Sequence, residues 1–394
     1  MRIAVALEGT DRGRSGISTF VRAILPRLSA RLAAAGGSLV AFGARPDLDA
    51  YAAELPLAET VEISRSGGSP GASALWHLLR AGPLAARLGA DVLLLPAANR
   101  RVTLRSPVPT VAVVHDLAQL RVPGKFDWLR MIYGRNLLPF ALGRATSLIA
   151  VSEATRKDLC QALACDRGRV RVVQNGVDAA RFTPPAANDE RVRLARAANQ
   201  IEGPYLLYPA RLEHPGKNHL RLLRAFAASP ARRTHRLLLA GADFGAGPAL
   251  RQEIARLALT ERAFVLGYVP DALLPGLVAG ADAVVMVGLY EGFGLPALEA
   301  LAAGRPVVAA NAGALPEVTG TLAALCDPLS VASIGAALER ALGDAVLRER
   351  SLNEGPAWAA ARSWEKTAEG LFAACSAARG GALPLQSETP AVSA

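Results

Sequence analysis

Residues 282–313 read DAVVMVGLYEGFGLPALEALAAGRPVVAANAG, and this stretch decides the fold class. Two apolar runs, 282–288 and 305–313, flank a glycine-containing loop and a segment of helical composition. Continuous apolar strands that are joined through a helix are typical of a parallel sheet covered on both faces. The stretch therefore predicts one repeating unit of an α/β protein.

The same alternation of apolar runs and helical segments extends over almost the whole chain. With 394 residues the chain is long for a single core, so we predict two domains. We expect both to be doubly wound, Rossmann-like parallel-sheet domains that face each other across a cleft, with ligands bound beyond the carboxyl ends of the strands. The predicted strands lie within 2–8, 38–44, 91–97, 109–116, 146–153 and 170–176 in the first half and within 204–211, 235–243, 264–269, 282–288 and 305–313 in the second.

A proline-rich polar segment, TPPAANDE, separates the two halves. The composition near the end of the chain predicts helices that could cross back to the first domain, followed by a polar tail without structure. The predicted divisions are an N-terminal domain 1–185, a linker 186–200, a C-terminal domain 201–355, C-terminal helices 356–378 and a disordered tail 379–394.

The excess of positive over negative charge is confined to the first half of the chain. Residues 1–185 hold 24 Arg and Lys against 14 Asp and Glu, whereas the remainder holds 20 of each sign. Such a basic half suits nucleic acid, an anionic membrane face or a phosphorylated substrate. Because no zinc-ligand spacing, stacking platform or dense basic run accompanies the charge, we expect no nucleic-acid partner.

The remaining bulk features indicate an ordinary globular protein of a reducing compartment. None of the four cysteines forms a C-x-x-C pair, so we expect reduced structural thiols. The N-terminus MRIAVALEGT has a strand pattern rather than that of a signal peptide. The longest apolar runs fall well short of the roughly 20 residues that span a bilayer. We therefore expect a cytoplasmic protein that is at most peripheral to the inner face of the cell membrane.

The run EGFGLPALE, residues 291–299, has the composition of an anion site at a helix start. Proline is favoured in the first turn of a helix, and the free backbone N–H groups near Gly294 and Leu295 would carry the positive end of the helix dipole. Glu291 in the loop and Glu299 in the helix could each bind a hydroxyl-bearing group, such as a hexose and a ribose. From the residues alone, a buried strand–loop–helix with surface glutamates is an equally good interpretation.

This run resembles the signature of the family-four retaining glycosyltransferases of the GT-B fold, in which two glutamates flank seven residues containing G-F-G-L-P. The following AAGRPVV and LPEV segments are similar to the family as well. The resemblance implies that Glu291 contacts hydroxyl groups of the donor sugar and that Glu299 holds the ribose. It also implies that sugar and phosphate are bound by the backbone of Gly292, Phe293, Gly294 and Leu295.

A second motif, PARLEHPGKNHLRLLRAF, follows the first predicted strand of the C-terminal domain. Arg211 and Lys217 lie six residues apart across a Pro-Gly turn and could bracket one anionic group. The alternative from the residues alone is a solvated basic loop, but the motif resembles the phosphate-binding Arg and Lys of the family. We expect His214 and His219 to be solvated and assign them no role.

Three further segments complete the predicted site. His115 stands with Asp116 at the end of a strand and resembles the family's first-domain histidine near the donor sugar, with Asp116 as its orienting partner. Gly16 occupies the loop that in the family faces the donor diphosphate. The segment FVLGYVP is similar to the family's nucleobase-contacting loop, which assigns base recognition to Gly267, Tyr268 and Val269.

We predict no cofactor and no metal site. Asp47 and Asp49 form a D-x-D pattern, but they lie in a polar stretch without companion ligands, so we interpret them as a chance pair in a loop. Arg211, Lys217 and helix dipoles would neutralise the donor diphosphate instead of a divalent cation.

The resemblance implies transfer of a hexose from a nucleotide sugar with retention, by same-face attack in which the leaving phosphate takes the acceptor proton. Mannose from GDP-mannose is the favoured donor and a lipid-linked saccharide of bacterial surface polysaccharide or O-antigen the favoured acceptor. The basic, aromatic segment 121–144 could be an interfacial helix pair on an anionic membrane surface or an ordinary core helix.

Three other functions stay open at this point: a UDP-glucose-type donor specificity, a GT-B nucleotide-sugar epimerase, and a non-catalytic sugar-nucleotide-binding subunit. An NAD-binding enzyme is not indicated, because no G-x-G-x-x-G follows the first strand.

Overall fold

The computed structural model describes residues 1–13, 15–56, 58–64, 70–122 and 133–381. These residues contain two parallel sheets, of seven and six strands. The chain divides into two compact units, and each unit is built from segments that are not contiguous in the sequence. The first unit falls within Met1–Leu117, Trp128–Gln174 and Glu365–Ala394, and the second falls within Ala118–Asp127 and Asn175–Trp364.

The first unit is built on a seven-stranded sheet in the order β3-β2-β1-β4-β5-β6-β7, with every pair parallel. The order reverses between β1 and β4, so the carboxyl ends of these strands form the crevice in which such sheets bind ligands. The strands are β1 Arg2–Ala6, β2 Ser38–Gly43, β3 Glu59–Glu62, β4 Val92–Leu95, β5 Thr110–Val114, β6 Ser147–Ala150 and β7 Val170–Val172.

The second unit repeats this plan with six parallel strands in the order β10-β9-β8-β11-β12-β13. Its order reverses between β8 and β11. Both sheets confirm the prediction of doubly wound, Rossmann-like domains. The strands are β8 Tyr205–Pro209, β9 Arg236–Ala240, β10 Ala263–Gly267, β11 Ala283–Met286, β12 Val307–Ala310 and β13 Ala323–Cys326.

Helices connect successive strands in both units. In the first unit the α-helices are Gly16–Ala34, Arg45–Asp49, Pro70–Trp76, Gly82–Arg87, Leu138–Leu142 and Glu153–Leu163, with π-helical turns at His77–Ala81 and Tyr133–Leu137. In the second unit they are Ala118–Arg121, Glu190–Ala198, His219–Ala228, Ala231–Thr234, Gly247–Arg256, Leu274–Ala279, Leu295–Ala302, Leu315–Thr319, Val331–Gly343, Ala345–Asn353 and Gly355–Ala360. The last helix, Trp364–Arg379, begins where the second unit ends.

That last helix belongs almost entirely to the first unit. Glu365 pairs with Arg27 at 2.6 Å. The Thr367 hydroxyl donates to the carbonyl oxygen of Gln174 over 2.8 Å. Leu371 is fully buried on the inner face of the helix. The first unit is therefore completed by residues that follow the second unit in sequence.

The segment predicted as the linker 186–200 contains a helix of the second unit. The Asp189 side chain caps the helix Glu190–Ala198 by accepting from the Arg191 amide over 2.9 Å. Gly276 of the helix Leu274–Ala279 packs directly on the backbone of Arg191. The polar composition that suggested a linker belongs to a solvated helix, and the compact units divide after Gln174 rather than near residue 185.

Two predicted segments fall partly outside the described residues. Residues 123–132 of the proposed interfacial segment 121–144 and residues 382–394 of the tail are among those not described. In the described part of the interfacial segment, Phe140 is 54% exposed and the Arg144 guanidinium lies 3.8 Å from its ring centre. Within the described ranges, no helix has both the length and the apolar character needed to cross a bilayer.

Candidate functional site

Lys217 and Glu291 form an ion pair in the second unit. Lys217 lies in the loop between β8 and the helix His219–Ala228, and its Nζ donates to Oε1 of Glu291 over 2.7 Å. Both side chains are largely buried, at 17% and 12% exposed. The Tyr208 hydroxyl fixes the loop by donating to the Lys217 carbonyl oxygen over 2.6 Å. Two residues predicted from separate motifs are therefore direct partners.

Arg211 is also paired, with a residue that the sequence did not indicate. Its Nη2 lies 3.1 Å from Oε2 of Glu213, and its guanidinium lies 4.8 Å from the centre of the Phe244 ring. Glu213 stands two residues after Arg211 in the same motif, which was the available signal for an ion pair. Each basic residue of the predicted phosphate site thus has a carboxylate partner from its own unit.

The two pairs are neighbours around a buried aromatic contact. The rings of Tyr208 and His219 lie 4.8 Å apart. Burial and the positive charge of Lys217 together lower the pKa of His219 to about 3, and the backbone and charge of Glu213 oppose this change. The prediction that His219 is solvated was wrong, because its ring packs on Tyr208 with only 2% of the residue exposed. His214 is exposed as predicted.

The glycine-containing loop after β11 leads directly into the helix Leu295–Ala302. Gly294 precedes the helix with φ +98°, and a Cβ atom there would lie 2.6 Å from Cδ2 of Leu315. Among the described residues, the amides of Gly294 and Leu295 have no hydrogen-bond partner, which suits them to bind an anion. Phe293, by contrast, is buried at 5% exposed and can offer only its backbone to a ligand. Gly292 is buried in the same loop.

Glu299 is a buried carboxyl group on the second turn of this helix. It is 9% exposed, and burial raises its pKa to about 7, opposed by the positive charge of Arg181 and reinforced by Asp271. Arg181 and Asp271 are themselves paired at 2.8 Å. Because both Glu291 and Glu299 are largely buried, the interpretation that they are surface glutamates was wrong.

The predicted nucleobase loop follows β10 of the same sheet. Gly267 has φ +72°, and its carbonyl oxygen accepts from the Gly241 amide over 2.7 Å. Gly241 in turn packs on the backbone between Ala210 and Arg211. The loop therefore adjoins the one that carries Arg211. Its next residue, Tyr268, is 63% exposed and so offers its ring and backbone to solvent or ligand, and Val269 is half-buried.

In the first unit, His115 lies at the carboxyl end of β5 and is 7% exposed. Its Nε2 is 2.8 Å from the Pro96 carbonyl oxygen, which can only accept, so the neutral ring carries its proton on Nε2. Burial lowers the pKa of His115 to about 4. The negative charge of Asp116 acts on the ring and opposes this lowering of the pKa, and its role as the orienting partner of His115 stays a prediction.

Gly16 begins the helix Gly16–Ala34, and the loop before it is tied down by a buried tyrosine. The Tyr51 hydroxyl donates to Oγ1 of Thr10 over 2.8 Å and lies 3.1 Å from Oγ of Ser18. Phe20, on the first turns of the same helix, packs edge-on against the His115 ring with 4.7 Å between ring centres. The structure thus brings His115 and the helix of Gly16 together.

Asp47 and Asp49 lie on a short helix rather than in a loop. Asp47 is buried and accepts from Nε of Arg12 over 2.8 Å, and Asp49 pairs with Arg45 at 2.9 Å. Across the described part of the chain, no three His, Cys, Asp or Glu side chains are grouped closely enough to hold a metal ion.

Comparison with known proteins gives two family matches. Residues 203–344 match the family described as glycosyl transferases group 1, and residues 16–181 match glycosyltransferase family 4. The second unit of this chain thus carries one family domain, and most of the first carries the other.

Three individual proteins illustrate the similarity. The O-antigen chain mannosyltransferase B of Escherichia coli is 32% identical over 257 residues, which are 65% of this chain and 67% of that protein. The 2-deoxystreptamine glucosyltransferase of Streptomyces kanamyceticus is 29% identical over 297 residues, 73% of this chain and 70% of that protein. The crystal structure of Anabaena Alr3699/HepE in complex with UDP-glucose shares the fold, with a TM-score of 0.74 at 20% identity over 96% of this chain and 100% of that one.

The paired parallel sheets, the two family matches and the glycosyltransferase relatives agree with one another. The chain belongs to the group 1 and family 4 glycosyltransferases and has the GT-B fold.

Proposed function

We propose that this glycosyltransferase moves a hexose from a nucleotide diphosphate sugar to a lipid-linked saccharide in bacterial surface polysaccharide synthesis, with retention of configuration. GDP-mannose is the donor that we favour, supported by the similarity to an O-antigen chain mannosyltransferase. The observation that carries the proposal is the Lys217–Glu291 pair. It sets a cation that can bind phosphate 2.7 Å from a carboxylate that can accept from sugar hydroxyls, beside a helix start with free amides.

In the proposed complex the donor lies along the carboxyl ends of the second sheet. Arg211 and Lys217 bind the diphosphate together with the free amides of the loop after β11. Glu291 accepts hydrogen bonds from sugar hydroxyls, and Glu299 binds the ribose. The backbone of 267–269 reads the edge of the base. The diphosphate, the sugar, the ribose and the base of the donor then each have a partner of suitable chemistry.

In the proposed reaction the bond between the anomeric carbon and the diphosphate oxygen breaks as the acceptor oxygen attacks from the same face. The leaving phosphate takes the acceptor proton, and its growing negative charge is stabilised by Arg211, Lys217 and the helix N-terminus. His115 is neutral, and its unprotonated Nδ1 can accept from a sugar hydroxyl. We propose that no divalent metal is required, because fixed cations neutralise the diphosphate.

A second donor class has its own support. One relative of this chain is a glucosyltransferase, and the structure of Anabaena Alr3699/HepE with the same fold was determined with UDP-glucose. The groups that bind phosphate and sugar are equally compatible with either nucleotide. We propose that the loop 267–269 decides the choice of base through its backbone and the exposed ring of Tyr268.

The basic first half supports a further part of the proposal, that the enzyme acts at an anionic membrane surface where a lipid-linked acceptor would be held. Flotation with vesicles of zwitterionic lipid, with and without anionic lipid, tests it. We expect binding only with anionic lipid and its loss at high salt. Failure to float with anionic vesicles at low salt would refute membrane association without touching the donor site.

The proposed activity is tested with a thermal-shift panel of GDP-mannose, UDP-glucose, GDP and UDP, followed by a transfer assay with lipid-linked saccharide acceptors. A ligand that binds only the folded protein raises the midpoint in proportion to its affinity and concentration. We expect GDP-mannose to give the largest shift and turnover to persist in EDTA. Hydrolysis or isomerisation of the donor at the same rate without acceptor as with acceptor would contradict a transferase assignment for these substrates.

A further inference from the structure

Both cations of the proposed phosphate site are already occupied by carboxylates. Lys217 holds Glu291 at 2.7 Å, and Arg211 holds Glu213 at 3.1 Å. All four side chains are at least three-quarters buried, with exposed fractions between 12% and 24%. Their formal charges sum to zero, so these four side chains together offer a phosphate no net positive charge.

A bound diphosphate must therefore compete with these glutamates. Lysine and arginine have several donors and could contact phosphate and carboxylate together, but the two anions repel each other across a few ångströms of partly buried space. When the phosphate binds, the ion pair between each carboxylate and its cation consequently becomes weaker. A buried carboxylate that loses its cation and gains no donor raises the free energy of the complex.

The two glutamates differ in what can replace the lost cation. In the proposed function Glu291 gains the hydroxyl groups of the donor sugar, which are hydrogen-bond donors. A nucleoside diphosphate without the sugar has no sugar hydroxyl to donate to Glu291, so the Lys217–Glu291 pair disfavours its binding. Glu213 pairs with Arg211 and has no assigned sugar contact. Its ion pair therefore disfavours binding of the sugar nucleotide and of the nucleoside diphosphate equally.

We propose that Glu291 and Glu213 pair with the two cations when no ligand is bound and that the donor diphosphate replaces these carboxylates when it binds. The Lys217–Glu291 pair then favours binding of the intact sugar nucleotide over binding of the nucleoside diphosphate product. The proposal rests on the donor-binding function proposed above. It assigns to Glu213 a role that the family motif does not supply: it weakens nucleotide binding without regard to the sugar. Together the pairs assist release of the product after transfer.

Isothermal titration calorimetry of GDP and GDP-mannose with the full-length enzyme tests the proposal. Glu291→Gln should bind GDP about tenfold more tightly, since it removes the carboxylate that competes for Lys217, and GDP-mannose more weakly, since it removes the acceptor for the sugar hydroxyls. Glu213→Gln should bind both ligands more tightly by a similar factor. Glu202→Gln is the matched control, because its carboxylate is 84% exposed and pairs with Arg236. It should change neither affinity.

A double-mutant cycle separates the ion pair from a general charge effect. In a Lys217→Gln background, Glu291→Gln should no longer tighten GDP binding, since the competing pair is absent. If Glu291→Gln does not fold, Glu291→Asp, which withdraws the carboxylate from Lys217, must also tighten GDP binding.

The outcomes distinguish this proposal from the donor-binding function on which it rests. If the wild type binds GDP-mannose but Glu291→Gln leaves GDP affinity unchanged or weaker, the exchange is refuted and the donor site stands. If the same measurements with UDP and UDP-glucose follow the expected pattern, the exchange is supported and only the base is corrected. If the wild type binds none of the four nucleotides, both proposals fall.

Discussion

Arg181 donates from Nη2 to the carboxylate of Asp271 over 2.8 Å, and this pair lies close enough to Glu299 for both charges to act on its pKa. Burial is the larger influence and raises the pKa of Glu299 from 4.5 to about 7. The folded protein therefore keeps a proton on Glu299 in a pH range where the unfolded chain has lost it.

The first prediction follows from this proton. A raised carboxyl pKa gives stability that is fully present below pH 4.5 and is lost as the pH rises to about 7. Relative to Glu299→Gln, the wild type should lose at most about 3 kcal/mol across this range. Denaturant unfolding of both proteins at pH 5 and pH 8 measures the difference. A wild-type minus variant difference that is the same at both pH values would contradict the raised pKa.

The second prediction concerns Gly294, whose φ of +98° is unfavourable for any side chain. Gly294→Ala would also place a Cβ atom 2.6 Å from Leu315, so we expect a loss of about 1–3 kcal/mol in unfolding free energy and weaker nucleotide binding. Gly343→Ala is the matched control, since no atom lies within 4 Å of the added Cβ. Thermal unfolding with and without donor compares them. Equal midpoints for the two variants would show that the Gly294 conformation is not required.

The third prediction concerns His115, whose pKa is lowered to about 4 by burial. Its lowered pKa gives stability that is present above pH 6.5 and is lost as the pH falls to about 4. Above pH 6 the ring stays neutral, so its titration should not shape the kcat profile. We expect His115→Ala to lower kcat/KM by up to about tenfold, because the variant loses one hydrogen bond to a sugar hydroxyl. NMR titration of the His115 ring checks the pKa directly. A ring that titrates near pH 6.5 would overturn this assignment.

The fourth prediction concerns Tyr51, which is fully buried and hydrogen-bonds Thr10 and Ser18 around the loop before Gly16. Tyr51→Phe keeps the ring and leaves the Thr10 and Ser18 hydroxyls short of one partner. We expect a loss of about 1–3 kcal/mol in unfolding free energy. Tyr133→Phe is a suitable control, because the only hydrogen bond that the described residues give its hydroxyl is a long 3.4 Å contact with Arg100. The same loss in both variants would remove the special role of Tyr51.

The sequence predicted the buried strands well and the polar edges badly. Eleven of the strands are apolar runs, and the sequence predicted each of them. β3, Glu59–Glu62, is a largely exposed edge strand, and β13, Ala323–Cys326, is only four residues of mostly small side chains, so neither has the hydrophobic pattern of a central strand. The helix Glu190–Ala198 was missed for the same reason, because a mostly solvated helix resembles a linker in composition.

For the site, the motif identified Glu291 and Lys217 but not that they pair with each other. Such a contact depends on how two loops separated by 74 residues are brought together, here by a hydrogen bond from the Leu289 amide to the Gly216 carbonyl oxygen. The burial of Glu299 and His219 likewise comes from packing around them, which local composition does not reveal. Residue types were predictable, whereas partners and pKa values required the fold.

The helix Trp364–Arg379 gives the molecule an order of assembly. Since it supplies the buried face of Leu371 and the contact of Thr367 with Gln174, the first unit lacks part of its interior until translation has passed the whole second unit. The interior of the first unit therefore stays incomplete until the helix Trp364–Arg379 has been synthesised. A stop codon shortly before residue 364 would accordingly damage the unit that is made first, even though every residue of its sheet had already been made.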